Sequence, residues 1–143
     1  MAIQRKASAV WQGGLKDGKG VVSTATGILN NTPYSFSTRF EEEPGTNPEE
    51  LIAAAHAGCF AMALSGQLDA AGLKADSLEV KATIRMEKTE AGMTVTASNL
   101  DLVATIPGAT EDAFNTAAGN AKAGCPISRL LKCEINLTSK LIA

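Results

Sequence analysis

The sequence predicts one α+β domain over residues 1–143, and three observations carry that expectation. Short alternating segments separated by Gly and Asn turns fill the first forty residues. A long apolar segment follows, opened by Asn47-Pro48 and closed by Gly72. Alternating segments then return around a second helical stretch, giving the order strands, long helix, strands, helix, strand. No internal repeat or linker divides the chain, and 143 residues suffice for one core that buries roughly 70% of the unfolded surface.

Gly13-Gly14 and Asp17-Gly18 punctuate a first hairpin, and Asn30-Asn31 a second. From Pro33 to Phe40 the alternation predicts a strand with Tyr34, Phe36 and Phe40 on one face and Ser35, Ser37 and Arg39 on the other. The helix that follows has Asn47 as N-cap, Pro48 at its first position, and Glu49 and Glu50 against the positive end of its dipole. Glu50 also occupies the acid position of a capping box. Gly72 ends the helix. Between Leu51 and Leu64 it is apolar nearly all the way round, which predicts burial inside the protein or inside an oligomer.

Val80, Ala82, Ile84 and Met86 then alternate with Glu79, Lys81, Thr83 and Arg85, ahead of a turn at Glu90-Ala91-Gly92. Val95 to Ile106 makes the next strand, with a bulge expected near Ser98-Asn99 and an end at Pro107-Gly108. Thr110 starts a second helix that stops near Gly124, Cys125-Pro126 reads as a fresh helix start, and Ile135, Leu137 and Leu141 suggest a closing strand.

Composition removes several functions. Hydrophobic residues at 45% and charged residues at 20% exclude a disordered chain. Thirteen basic against fifteen acidic residues, without a block of like charge, argue against nucleic acid or an anionic membrane as partner. Aromatics at 4% make a base-stacking surface unlikely as well. The uncharged run Leu51–Gln67 only matches the shortest membrane span, and it is diluted by Ala, Gly, Ser and His. The first eight residues lack the apolar core of a secretory signal, so the expected compartment is the reducing cytoplasm. Three widely spaced cysteines do not read as a disulfide framework.

Cys59 lies midway along the long helix, and Cys125 occupies a helix N-cap, where the dipole favours a thiolate. Cys59 would need a nearby cation, and Arg39 is the candidate. The alternative is that both are inert buried thiols. His56, the only histidine, shares a helical face with Cys59, so a zinc set of His56, Cys59, Cys125 and Cys133 can be drawn. The spacing of Cys125 and Cys133 is not that of a zinc ligand pair, and an interior hydrogen-bonded histidine is the simpler reading. Cys133 has no motif around it. Glu50 is expected to cap; Glu49 is less committed to that role. The early glycines form no phosphate loop.

Thr38-Arg39-Phe40, Gly45-Thr46-Asn47-Pro48-Glu49-Glu50-Leu51, His56-Ala57-Gly58-Cys59-Phe60 and Ala123-Gly124-Cys125-Pro126-Ile127-Ser128 together resemble the OsmC/Ohr family, and within it the OsmC branch. The resemblance covers essentially the whole chain. It implies an OsmC-like fold: antiparallel sheets, a long buried central helix and a second helix, in an intertwined homodimer. It also implies a thiol peroxidase that reduces organic hydroperoxides, and hydrogen peroxide less well, in stress defence, with no metal or cofactor. A dithiol, either a small molecule or a lipoyl protein, would regenerate it. By that resemblance Cys59 is the peroxidatic cysteine, Cys125 the resolving one, Glu49 the active-site glutamate and Arg39 the arginine of the OsmC branch. The Ohr branch carries its arginine in the early glycine turn, which here reads Gly13-Gly14-Leu15-Lys16-Asp17.

The chemistry is consistent with those four residues. A thiolate nucleophile is kept ionised by a cation, a guanidinium never loses its proton, and a carboxylate fixes its orientation through paired hydrogen bonds. The sulfenic acid product then condenses with a second thiol. The alternative from another class is a non-catalytic domain of the same fold that binds zinc or a small ligand.

Overall fold

A computed structural model describes residues 1–143. The chain falls into two compact units, Met1–Leu51 and Ile52–Ala143.

The first unit is a three-stranded antiparallel sheet of β1 (Ala7–Gln12), β2 (Lys19–Thr24) and β3 (Thr32–Tyr34), in that order, followed by the short helix α1 (Phe36–Phe40). Both expected hairpins form. Gly20 in the central strand pairs with Trp11 on one side and Tyr34 on the other. The two rings close over it with centroids 5.5 Å apart. A Cβ at Gly20 would collide with both, so this position requires glycine on steric grounds.

The strand expected from Pro33 to Phe40 stops at Tyr34, and α1 replaces its second half. The cause is a capping box. The Ser35 hydroxyl accepts the Thr38 N–H at 3.3 Å, and the Thr38 hydroxyl accepts the Ser35 N–H at 2.8 Å. Phe36 and Phe40 then meet at helical spacing, with centroids 5.0 Å apart. Apolar residues at i and i+4 fit either period here, and local serine and threonine hydrogen bonds decide in favour of the helix.

Helix α2 (Pro48–Ala70) starts in the first unit and runs on through the second. Asn47 caps it as expected, its Oδ1 accepting the Glu50 N–H at 2.8 Å. The same amide donates to the Thr38 carbonyl at 3.1 Å, fixing α1 to the start of α2. Glu50 does not complete a capping box: its carboxylate accepts the Thr46 hydroxyl instead. Gly72, at φ 73°, sits in the left-handed conformation that ends such helices.

The second unit is built on a sheet ordered β4 (Ser77–Thr89), β5 (Gly92–Thr105), β6 (Glu134–Ile142). β4 and β5 are an antiparallel hairpin, but β5 and β6 run parallel, so this sheet is mixed rather than antiparallel as expected. The parallel pair is made possible by a crossover through α3 (Glu111–Gly124) and α4 (Pro126–Leu130). The β5 irregularity falls opposite Arg85/Met86, two to three residues before the expected bulge, and leaves Thr96 as the extra residue. Beyond it Ser98, Leu100, Leu102 and Ala104 all face inward.

One stripe of α2 packs into this core: His56, Phe60, Leu64 and Leu68, four residues apart and at most 1% exposed. Phe114, Ala117, Ala118 and Ala121 of α3 close it from another side. Burying side chains such as Phe60 or Leu64 is worth about 1.5–3 kcal/mol each. Within a single chain the helix is not buried all round. Ala54, Ala55, Gly58, Ser65 and Gly66 are exposed, and Met62 is 81% exposed. By length and composition alone α2 could cross a membrane, with a mean hydropathy of 1.4 over 18 residues. Its inward stripe is instead covered by the chain's own sheet and helices.

Candidate active site

In the first unit the capped turn of α1 and the tethered start of α2 bring Arg39 and Glu49 together. The guanidinium donates from Nε to Oε1 and from Nη2 to Oε2, both at 2.9 Å, in a forked pair. This bidentate geometry holds the guanidinium plane in one orientation. The hydrogen bond that Arg39 donates to Glu49 raises its proton affinity, and it stays charged throughout the accessible pH range. Arg39 also lies over the Phe40 ring at 4.9 Å. Beside it opens an apolar cleft of about 280 Å³, lined by Trp11, Leu15, Tyr34, Phe36 and Phe40. A larger depression of about 640 Å³ in the same unit includes Lys16, Lys19 and Glu43 but neither Arg39 nor Glu49.

In the second unit α2 carries Cys59 and the start of α4 carries Cys125. Their sulfurs stand 2.6 Å apart, and both thiols are free. Cys125 is fully buried, whereas Cys59 is partly exposed. Their surroundings push the two thiols in opposite directions. Burial raises the Cys59 thiol, and the hydrogen bond to Cys125 raises it further against a smaller lowering by the Ile127 N–H. Burial also acts to raise Cys125. The hydrogen bond shared with Cys59, the N–H groups of Ser128 and Ile127, and the Ser128 hydroxyl outweigh it and leave Cys125 below the usual thiol range. No formal capping bond reaches the Cys125 sulfur, so the helix-start groups act on its charge from nearby.

His56 is where the expected hydrogen-bonded interior histidine belongs. Its Nδ1 lies 2.6 Å from Ser98 Oγ and its Nε2 2.8 Å from Ser128 Oγ, all three side chains being buried. Burial pulls its pKa below the ordinary value, so it is neutral at physiological pH. With both ring nitrogens taken by hydroxyls, the drawn zinc set does not assemble, and no cluster of His, Cys, Asp and Glu is arranged to hold a metal. Cys133 is half-buried and raised by burial, its sulfur near the N–H of Ser98. Ser98 and Ser128 were not identified from the sequence. The available signals were a polar residue on the inward face two positions before Leu100, and a serine at the third position of a helix opened by Cys125.

Comparison with known proteins was consistent in direction. The profile of the family described as OsmC-like protein matches residues 40–140. Peroxiredoxin OsmC of Escherichia coli (strain K12) and that of Shigella flexneri are each 48% identical over 141 residues, covering 99% of this chain and 99% of each relative. Among solved structures, an OsmC-like protein of unknown function from Vibrio cholerae has a TM-score of 0.79 at 15% identity, over 97% of this chain and 100% of that one. An organic hydroperoxide resistance protein from Elizabethkingia anophelis has a TM-score of 0.72 at 24% identity, over 99% of both chains. These structural likenesses establish the fold.

Proposed function

The chain belongs to the OsmC family and is a peroxidase, and we propose that it reduces organic hydroperoxides through Cys59 and Cys125. The Cys59 thiolate attacks the terminal peroxide oxygen. The O–O bond breaks, the alkoxide takes a proton to leave as alcohol, and Cys59 becomes a sulfenic acid. Cys125 then attacks that sulfur, hydroxide leaves and is protonated to water, and a dithiol (small, or carried on a lipoyl protein) reduces the disulfide. The observation that carries this reading is the 2.6 Å separation of the two sulfurs, which makes disulfide formation a short motion. The apolar cleft beside Arg39 favours alkyl hydroperoxides over hydrogen peroxide.

The cation that Cys59 needs is supplied, in this reading, by Arg39 of a second copy of the chain. Arg39 and Glu49 are bound to each other within one chain, so they serve a site as a unit. A homodimer also covers the exposed small-residue and Met62 face of α2, so α2 is the core of a dimer and not a membrane span. The protein works in the reducing cytoplasm, where dithiols are available.

The test is hydroperoxide consumption with a small dithiol as reductant, comparing an alkyl hydroperoxide with hydrogen peroxide. Turnover is expected with both and faster with the alkyl substrate, and one equivalent of hydroperoxide should remove two free thiols per chain. Consumption without loss of thiols would overturn the reading.

Arg39 has its own expected result. Arg39→Ala slows alkylation of Cys59 at neutral pH by roughly tenfold or more, the equivalent of about one pH unit in the thiol. The rate at high pH is little changed, because the thiolate then forms without help. Arg39→Lys restores only part of it, since an ammonium cannot keep the forked contact with Glu49. An alkylation profile against pH that is the same in Arg39→Ala and the parent protein would remove Arg39 from the site.

A further inference from the structure

His56 is the chain's only histidine, is fully buried, and has no part in the reaction described above. It joins three elements: its own helix α2, strand β5 through Ser98, and helix α4 through Ser128. The direction of these hydrogen bonds is set by which ring nitrogen carries the proton. Ser98 is fully buried, and its hydroxyl has the His56 Nδ1 as partner. If Ser98 donates to Nδ1, the neutral ring carries its proton on Nε2 and donates to Ser128 Oγ. Ser128 has then accepted, and its own hydrogen is available to the Cys125 sulfur three residues earlier, whose charge that hydroxyl stabilises. In the opposite polarity Ser128 donates to Nε2 and has no hydrogen left for Cys125, so the ring tautomer decides between the two.

We propose that Ser98, His56 and Ser128 form a one-way hydrogen-bond relay that presents a donor to the Cys125 sulfur, which makes His56 a positioning residue for disulfide formation. This rests on the reading of Cys125 as the resolving cysteine. The relay matters most after the first chemical step. While Cys59 is a thiol its sulfur shares a hydrogen bond with Cys125; once it is a sulfenic acid that S–H is gone. Cys125 must then stay ionised in a buried place, and the Ser128 hydroxyl and the N–H groups at the start of α4 are what remain to keep it so. Its sulfur forms the S–S bond and is oxidised, the Cys59 sulfur is reduced as its S–O bond breaks, and the electron pair leaves with hydroxide. The titratable groups along the relay are Cys59 and Cys125 at one end and Cys133, near the Ser98 N–H, at the other.

Two measurements test it. Because there is one histidine, ¹⁵N-labelled full-length protein gives a single imidazole pattern. The expected pattern is a neutral ring with hydrogen on Nε2, held that way below the pH at which free histidine titrates; hydrogen on Nδ1 overturns the relay. The second uses Cys59→Ser/Cys133→Ser protein, in which Cys125 is the only thiol and the serine hydroxyl takes the place of the Cys59 sulfur. Ser128→Ala and His56→Phe are expected to move the midpoint of Cys125 alkylation up by about one pH unit, roughly a tenfold slower reaction at neutral pH. His56→Gln is expected to keep it, because an amide spans the same gap, accepting from Ser98 and donating to Ser128. An unchanged midpoint in folded Ser128→Ala protein overturns the proposal. If His56→Phe does not fold, Ser128→Ala and the tautomer still decide. Should Cys125→Ser still form an intramolecular disulfide with hydroperoxide, the resolving assignment fails, while tautomer and midpoint continue to report on the relay.

Discussion

Cys59→Ser protein is expected to show no turnover of hydroperoxide, a loss on the order of 10⁴-fold or more, because a hydroxyl in place of the thiol leaves no nucleophile. Cys125→Ser behaves differently. It consumes about one equivalent of hydroperoxide per chain and then stalls as a sulfenic or over-oxidised acid, since the thiol that condenses with it is gone. Cys133→Ser turns over as the parent does: its sulfur lies beside the Ser98 N–H and is not paired with Cys59. Single-turnover consumption, combined with mass measurement of the oxidised chain, separates the three. A Cys133→Ser protein that fails to form the disulfide would reassign the resolving role.

What the sequence revealed of this molecule depends on how local the determining interactions are. The start of α2 was legible because Asn47, Pro48 and Gly72 each act on their own few residues. The fresh helix start at Cys125-Pro126 was legible for the same reason. The segment 35–40 was misread because Phe36 and Phe40, four residues apart, satisfy a strand period and a helical one together, and the Ser35–Thr38 capping box decides. The parallel pairing of β6 was not legible, since pairing direction is set by where the α3–α4 crossover returns the chain. At the site, Arg39, Glu49, Cys59 and Cys125 could be singled out by residue type and motif. Ser98 and Ser128 could not, as a buried serine becomes informative only when its partner is known to be 42 residues away in one case and 72 in the other. The helix start at Cys125-Pro126 was expected to favour a thiolate, and the groups that lower a thiol gather there, while burial raises Cys59.

The proposed two-chain site for Arg39, Glu49 and Cys59 is tested by mixing two inactive variants. Glu49 and Cys59 are ten residues apart on α2, a rise of roughly 15 Å and a turn of roughly 80° off the same face. No glutamate side chain spans that distance along its own helix, and Glu49 is already committed to Arg39. Two copies of α2 packed antiparallel would bring the Arg39–Glu49 pair of one chain towards the Cys59 of the other, through the face now exposed at Ala55, Gly58 and Met62. Cys59→Ser and Glu49→Ala homodimers are each expected to be nearly inactive, the second because Arg39 loses its forked anchor. After exchange of chains, each mixed dimer holds one site with the native cysteine and the native glutamate, and another with both replaced. Equal mixing gives half mixed dimers with one working site in two, so activity should return to about a quarter of the parent level, as two-fold symmetry requires. A site contained within one chain predicts no recovery, because every chain then carries a defect. Mixed dimers demonstrated by differential tagging, yet still inactive, would place Glu49 in its own chain's site or in none.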